Sequence, residues 1–377
     1  MTQKNIRAVG MGLLVALWLV LVGFSWFGEH DAYSDAERRK LAQAPELKKE
    51  TIMDRTYMGD FETFTLDQFP LRDRFLQAKN LFLFYGLQQT DNNGRYVWNG
   101  YLGNMETEID EEAIDKAAKK FNMVYDVALK GRTDNIYFSI IPDKNYVISK
   151  ESGHLSMDMG AMEQQLQEQI PWATYIDIKD TLTKENYYFT DTHWRQETLV
   201  PTASVLCQGM GVEGPKLDSF TVKDLDRPFY GVFYRQVGVP VAPDTMRILQ
   251  NDMLNDCIVT NYSDPMRPVQ IGFHNLDGLA ELKEPYDVYL YGFDTGTVVI
   301  DNPNAKTDRE LFLFRDSFGC SMAPLLVENY ARVTVIDLRP FLPPMLLMMN
   351  GRAWDLSNAD VLFMFSSQEL NNVDSFR

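Results

Sequence analysis

The sequence predicts an α/β fold with a mainly parallel sheet and helices on both of its faces. Two stretches carry that prediction. From residue 310 on, short apolar runs alternate with helical spacing: "ELFLF" (310–314), "SMAPLLVENYA" (321–331), "VTVIDLR" (333–339) and "ADVLFMF" (359–365). Earlier, "NIYFSIIPD" (135–143), "GAMEQQLQEQI" (160–170) and "ATYIDI" (173–178) repeat the alternation. Parallel strands need crossover connections, and helices in those crossovers cover the sheet. Continuous apolar runs, rather than alternating ones, suit strands buried on both faces.

The other elements follow in order. Lys4 and Arg7 precede "MGLLVALWLVLVGFSWFG" (11–28), an apolar run of about 18 residues without a charge. That length is near the minimum for crossing a bilayer core, and the flanking charges have the positive-inside sign. Residues 1–28 therefore read as a transmembrane signal anchor, with the chain from about Glu29 outside the cytoplasmic membrane. A cleaved signal would begin the same way, and "AYS" at 32–34 is a weak cleavage site that would make the protein secreted. The polar segment 29–60 reads as a stalk or linker, and 61–377 as one domain. Within "FETFTLDQFPLRDRFLQAKNLFLFYGL" (61–87), Pro70 should start a helix rather than lie inside one. "DNNGRYVWNGYL" (91–102) predicts a hairpin turning at Asn93-Gly94. Residues 107–130 form an amphipathic helix pattern opened by acidic residues. "HWRQETLVPTASVLCQGMG" (193–211) predicts a helix kinked or broken at Pro201, and 218–300 holds short β-type runs of no evident order.

Composition excludes several classes. A net charge of −17 argues against nucleic-acid binding and against a polybasic membrane-binding face. Three scattered cysteines (Cys207, Cys257, Cys320) make neither a disulfide framework nor a zinc cluster, and Cys320 reads as small packing filler.

Chemistry concentrates in two short motifs. Ser317 in "RDSFG" follows an apolar strand and precedes a helix. In an open parallel sheet ligands bind beyond the carboxyl ends of the strands, and there the serine N–H and the helix end can stabilise an oxyanion. The competing reading is a plain helix cap by Asp316 or Ser317. Asp191 and His193 in "TDTHW" (190–194) stand two apart, so one extended loop presents both side chains on the same side. A serine nucleophile needs such a base, and the base needs a carboxylate to fix its tautomer. Here too a cap is the alternative. The other histidines (His30, His154, His274) have no ligand-like spacing to His193, so no metal is expected.

"DTHW" taken with "RDSFG" resembles the DHHW family of bacterial extracytoplasmic proteins, its tetrad here being Asp191-Thr192-His193-Trp194. "AERRKLAQAPEL" (36–47), "FETFTLDQFPLRDRFLQAKN" (61–80), "IPDKNYVI" (141–148), "PYDVYLYG" (285–292) and "VTVIDLRPF" (333–341) stand in the family's order. That family is similar to the SGNH-like O-acetyltransferase domains of the alginate O-acetylation machinery. The resemblance implies an SGNH-hydrolase-like three-layer α/β/α sandwich. In it Ser317 would be nucleophile, His193 general base and Asp191 the orienting carboxylate. Thr192 departs from the family's second letter, and Arg315 stands where a glycine often precedes the Asp-Ser pair. Arg339 and Lys144 follow predicted strands and, with Trp194, are candidate substrate contacts; surface charge is the alternative for the first two. The expected function is acetyl transfer to a cell-surface or exported polysaccharide, with no cofactor. A carbohydrate O-acetylesterase and a non-catalytic polysaccharide-binding or assembly protein, with Trp98, Trp172 and Trp194 as sugar platforms, are the alternatives. The resemblance also implies a membrane-bound O-acyltransferase as partner.

Overall fold

A computed structural model of the chain describes residues 3–34, 39–279, 282, 284–292, 296–339 and 354–376. Residues 36–38 and 340–341, parts of two stretches that carry the family resemblance, lie outside these. The chain divides into two units, 1–97 with 232–240, and 98–231 with 241–377.

The first unit opens with α1 (Gln3–Phe27), 25 residues of helix. At 1.5 Å per residue it is about 37 Å long, enough to cross a bilayer core. Its Asn5–Phe27 span has a mean hydropathy of 2.3. Its end packs on α2 (Thr56–Asp67): Ser25 Oγ donates to the Thr65 carbonyl at 3.0 Å, and the Trp26 ring lies 5.5 Å from Phe61. A short helix, Lys49–Met53, and the start of α2 lie within the stretch that composition marks as a linker. Polar composition reports exposure, which a surface helix shares with a linker. α2 ends before Phe69-Pro70 and α3 (Arg72–Leu81) starts after it, because a residue before proline is pushed out of helical geometry. Asn93 and Gly94, with φ of 54° and 77°, turn the chain between Asp91–Asn92 and Arg95–Tyr96, as a two-residue hairpin with positive φ at both positions requires.

In the second unit, besides the short strand Tyr101–Asn104, the strands are β1 (Ile136–Ile141), β2 (Thr174–Tyr175), β3 (Thr221–Phe229), β4 (Asp244–Gln250), β5 (Ile258–Asn261), β6 (Val269–Ile271), β7 (Thr297–Asp301), β8 (Glu310–Arg315), β9 (Arg332–Asp337) and β10 (Ala359–Ser366). Eight of them form a sheet in the order β6-β5-β7-β9-β8-β10-β1-β2, and β3 pairs with β4 separately. From β9 through β2 the pairing is parallel, while β7, β5 and β6 add antiparallel strands at the other edge. These last three come from the 218–300 stretch whose order the sequence does not reveal. Their short runs carry no helical crossovers, the signal by which parallel strands are recognised.

The unit's longer helices are α4 (Glu111–Val124), α5 (Lys144–Ser152), α6 (Met159–Gln169), α7 (Val200–Gly209) and α8 (Phe318–Leu326). Alternation along β8 decides their layers. Leu311 and Leu313 enter a core with Ala203 and Leu206 of α7 and Met322 of α8. Phe312 and Phe314 enter a second core with Ile114 and Phe121 of α4 and Met162 of α6. The result is a large mixed, mainly parallel sheet between two helical layers. α8 is buried on every side, which suits its apolar sequence. α7 begins at Val200 rather than 193, with Pro201 in its first turn. Proline lacks an N–H, and the first turn is where that group has no partner to lose. Pro201 therefore starts the helix instead of kinking it.

β8 positions the site. After it the chain passes through α8 to β9 on one side, then reaches β10 on the other. The carboxyl end of β8 is thus a point where strand order reverses, the crevice where open α/β sheets take ligands. Leu313, wholly buried in the central strand, tests the core directly. Leu313→Ala should lower unfolding free energy by about 2–5 kcal/mol in a denaturant titration, with the transition slope unchanged.

Candidate active site

Ser317 follows β8 by one residue and caps α8 in position only: φ is −58° and ψ −30°, and its side chain makes no capping hydrogen bond. Asp316 takes that task. Its Oδ1 accepts from the Phe318 N–H at 3.0 Å, and its Oδ2 accepts from the Ser366 N–H at the end of β10 at 2.7 Å. Burial raises the Asp316 pKa above the usual carboxylate range. Gly319 is required where α8 turns over the strand: a Cβ there would lie 2.4 Å from Arg315 Cβ. Arg315 is buried, 3.6 Å from Asp337.

The Ser317 hydroxyl points at the D-x-H loop. His193 Nε2 lies 2.7 Å from Ser317 Oγ, and His193 Nδ1 lies 2.5 Å from Asp191 Oδ1. An ionised carboxylate can only accept, so Nδ1 carries the proton and Nε2 is left to accept from the serine O–H. Asp191 Oδ1 also accepts from the His193 N–H at 2.9 Å. The three residues that the sequence singles out for chemistry are therefore in one hydrogen-bonded line, His193 and Ser317 meeting across 124 residues of chain. His193 does not open a helix as the spacing suggests. It lies in a loop closed by an antiparallel bridge between Tyr187 and Trp194.

The weaker candidates fall elsewhere. Trp194 is fully buried and donates Nε1–H to Ser321 Oγ at 2.8 Å, so it braces the loop against α8 and cannot meet a substrate. Lys144 is buried with its ammonium on three backbone carbonyls, so it is not a cleft contact either. Arg339 spreads its guanidinium over Asp337 and Glu369, at 2.7–2.9 Å. Its charge is thereby matched by two carboxylates. Of the proposed sugar platforms, Trp172 stacks on Tyr125 with centroids 4.5 Å apart and donates to Asn122. Burial pushes the Cys320 thiol up to about 11, which suits filler and not a nucleophile. Among the described residues no three His, Cys, Asp or Glu side chains form a metal-holding group.

With this geometry in view, the fold has clear counterparts. A DHHW family protein from Eubacterium siraeum superposes with a TM-score of 0.59 at 17% identity, over 76% of this chain and 95% of that one. PatB1 of Bacillus cereus matches in two structures. The one with a sulfonyl adduct gives TM-score 0.58 at 18% identity over 75% and 98% of the two chains, and the other 0.57 at 19% over 76% and 100%. The chain shares their fold. The O-acetyltransferase domain of Pseudomonas putida AlgJ also matches, at TM-score 0.44 and 13% identity over 76% and 96%. No family model matches the sequence, and no curated protein does.

Several residues around the line escape a reading of motifs. Tyr286 stacks on the His193 ring with centroids 3.8 Å apart, and its hydroxyl meets Ser321 Oγ at 2.7 Å. Phe318 approaches the same ring at 4.7 Å. Asp244 accepts from the Phe189 and Thr190 N–H groups at 2.8 Å each. Thr192 Oγ1 donates to Gln368 just past β10 at 2.9 Å. The resemblance does include Tyr286, in "PYDVYLYG", but nothing in that run says it faces a histidine.

Gly231 has the sharpest fit. A Cβ there would lie 2.2–2.5 Å from Asp191 Cβ, Oδ2 and Cα. Main-chain and Cβ atoms cannot swing aside, so Gly231→Ala should displace Asp191. The variant should stay folded by circular dichroism while the reactivity of Ser317 towards a serine-directed sulfonyl fluoride falls roughly 100-fold.

Proposed function

We propose that the protein is a membrane-anchored, outward-facing O-acetyltransferase that modifies a cell-surface or exported polysaccharide through an acyl-serine. The observation that carries this reading is the Asp191–His193–Ser317 hydrogen-bonded line at the head of α8. The family resemblance supplies the substrate class.

Each step has a residue. Ser317 Oγ attacks the acetyl carbonyl carbon while its proton passes to His193 Nε2. Asp191 holds the Nδ1–H and stabilises the imidazolium that forms. The negative charge on the former carbonyl oxygen is met at the positive end of α8, where Ser317's own N–H can serve as one donor. Collapse expels the donor's leaving group, which takes the proton from His193, and leaves acetyl-Ser317. A sugar hydroxyl then attacks the ester carbonyl, giving its proton to His193; collapse breaks the bond to Ser317 Oγ, which takes that proton back from His193, and the O-acetyl sugar leaves. Tyr286 and Phe318 cover the imidazole through this cycle and hold its plane. Water in place of the sugar would make the same intermediate an esterase's.

Residues 1–28 are proposed as a retained anchor, its end packed on α2. Contacts on both sides of the "AYS" site support retention. Tyr33–Ser34 pair with Arg39–Lys40, the Asp31 N–H donates to Gln68 at 3.0 Å, and His30 packs edge-on against Phe64 at 4.8 Å. Cleavage at that site would remove the segment that α2 packs against. A membrane-bound O-acyltransferase as the donor's source is part of the proposal and comes from the resemblance.

Two outcomes follow. The full-length protein, given 4-nitrophenyl acetate, should acquire one acetyl group on Ser317 by mass spectrometry, and an acceptor oligosaccharide should take it up. Ser317→Ala should abolish the adduct and lower turnover by at least about 1,000-fold; equal activity would sink the nucleophile, and turnover unaffected by acceptor would favour the esterase. Separately, the protein should resist alkaline extraction from membranes and retain its N-terminal peptide, whereas a chain starting near residue 35 would show cleavage.

A further inference from the structure

The loop bearing Asp191 and His193 has little regular secondary structure, yet it holds both side chains in line with Ser317. Two buried groups of opposite charge, from separate elements, take up its backbone. Lys144, the first residue of α5, donates Nζ–H bonds to the carbonyls of Leu102, Phe189 and Asp191 at 2.6, 2.9 and 2.9 Å. Asp244, the first residue of β4, accepts from the Phe189 N–H and Thr190 N–H at 2.8 Å each and from Thr190 Oγ1 at 2.6 Å. The cation thus answers the loop's C=O groups and the anion its N–H groups.

Burying either charge is costly unless its hydrogen-bonding capacity is met. Three convergent carbonyls select an ammonium: it offers three donors, where a neutral amine offers two and an apolar side chain none. Removing one member leaves backbone polar groups unanswered in the interior, and the loop must shift to find partners. The shift would act directly on Asp191, whose carbonyl Lys144 holds, and through it on His193.

We propose that Lys144 and Asp244 form a paired backbone clamp that presets the Asp191–His193 loop for Ser317, as positioning residues that touch neither substrate nor reacting atoms. The catalytic purpose of the clamp rests on the acyl-serine reading above. Its consequence is a rate effect without a binding effect, since misplacing a base slows attack while leaving the donor's site intact. The groups facing the ammonium are the Asp244 and Asp191 carboxylates and the Tyr101 ring, 5.6 Å away. Burial pulls the Lys144 pKa down to about 7, with the two carboxylates opposing it. The ammonium is therefore lost as pH rises through that value, leaving one carbonyl without a donor and loosening the clamp.

The test uses full-length protein in detergent, as wild type, Lys144→Met, Asp244→Asn and the double variant. Two quantities are read: the rate of Ser317 sulfonylation by phenylmethanesulfonyl fluoride against pH, and amide hydrogen exchange over residues 187–194. Each single variant should label roughly 10- to 100-fold more slowly at unchanged half-saturation, with faster exchange in the loop. The double variant should be little slower than the worse single one, because the two act as a unit. The wild-type rate should fall on the alkaline side, and Lys144→Met should lack that fall. If Lys144→Met does not fold, Asp244→Asn, which keeps its volume and one acceptor, carries the test. Wild type labelled and both variants within twofold of it, or loop exchange unchanged, overturns the clamp alone. An additive rate loss that only tracks a loss of melting temperature overturns it as well. An unlabelled wild-type Ser317 overturns the acyl-serine reading, and with it the clamp's purpose, even if loop exchange quickens.

Discussion

The arrangement depends on the buried carboxylate of Asp316. One oxygen receives the Phe318 N–H at the head of α8, and the other receives the Ser366 N–H at the end of the neighbouring β10. That pair of bonds does what a capping serine would have done, and it ties the strand-to-helix turn to the adjacent strand. Ser317 is relieved of capping, so its hydroxyl is available to His193. The order Asp-Ser-x-Gly follows: the carboxylate fixes the turn, the serine faces out, and Gly319 lets α8 pass over Arg315.

The histidine side is built on a different principle. Ser317 sits between regular elements, whereas His193 sits on a loop whose own geometry is weakly determined. The loop takes its shape from surrounding groups: Gly231 against Asp191, Lys144 and Asp244 on the backbone, Trp194 and Tyr286 meeting at Ser321, and the Tyr286 face on the imidazole. Buried charges here hold peptide groups as well as facing each other. Such a frame resists small displacements because each shift would leave a buried polar group unpaired.

The strands and helices of the parallel half are legible in the sequence because burial on both faces forces continuous apolar runs, and "ELFLF" and "ADVLFMF" are such runs. The antiparallel edge is not, since Ile258–Asn261 and Val269–Ile271 are short and carry no comparable signal. Helix starts are read less well. His193 looks like a first-turn residue because Thr-Asp-Thr suits a cap, yet the helix starts only at Val200, with Pro201 in its first turn, where a missing N–H costs no bond. Lys144 and Trp194 are ambiguous for a related reason: a charge or an indole near a motif suggests contact with a ligand, and only packing tells whether it faces the cleft or supports the loop from behind.

Residue types, their order and their periodicities are present before any folding. From these come an α/β sheet, an apolar N-terminal helix, and Asp191, His193 and Ser317 as the candidates for chemistry. Folding is what sets His193 Nε2 2.7 Å from Ser317 Oγ. It also decided that Tyr286, Asp244, Gly231 and Lys144 surround that contact. The reason is physical: propensity and periodicity act over a few residues, while strand order, reversing at β8, brings together groups more than a hundred residues apart.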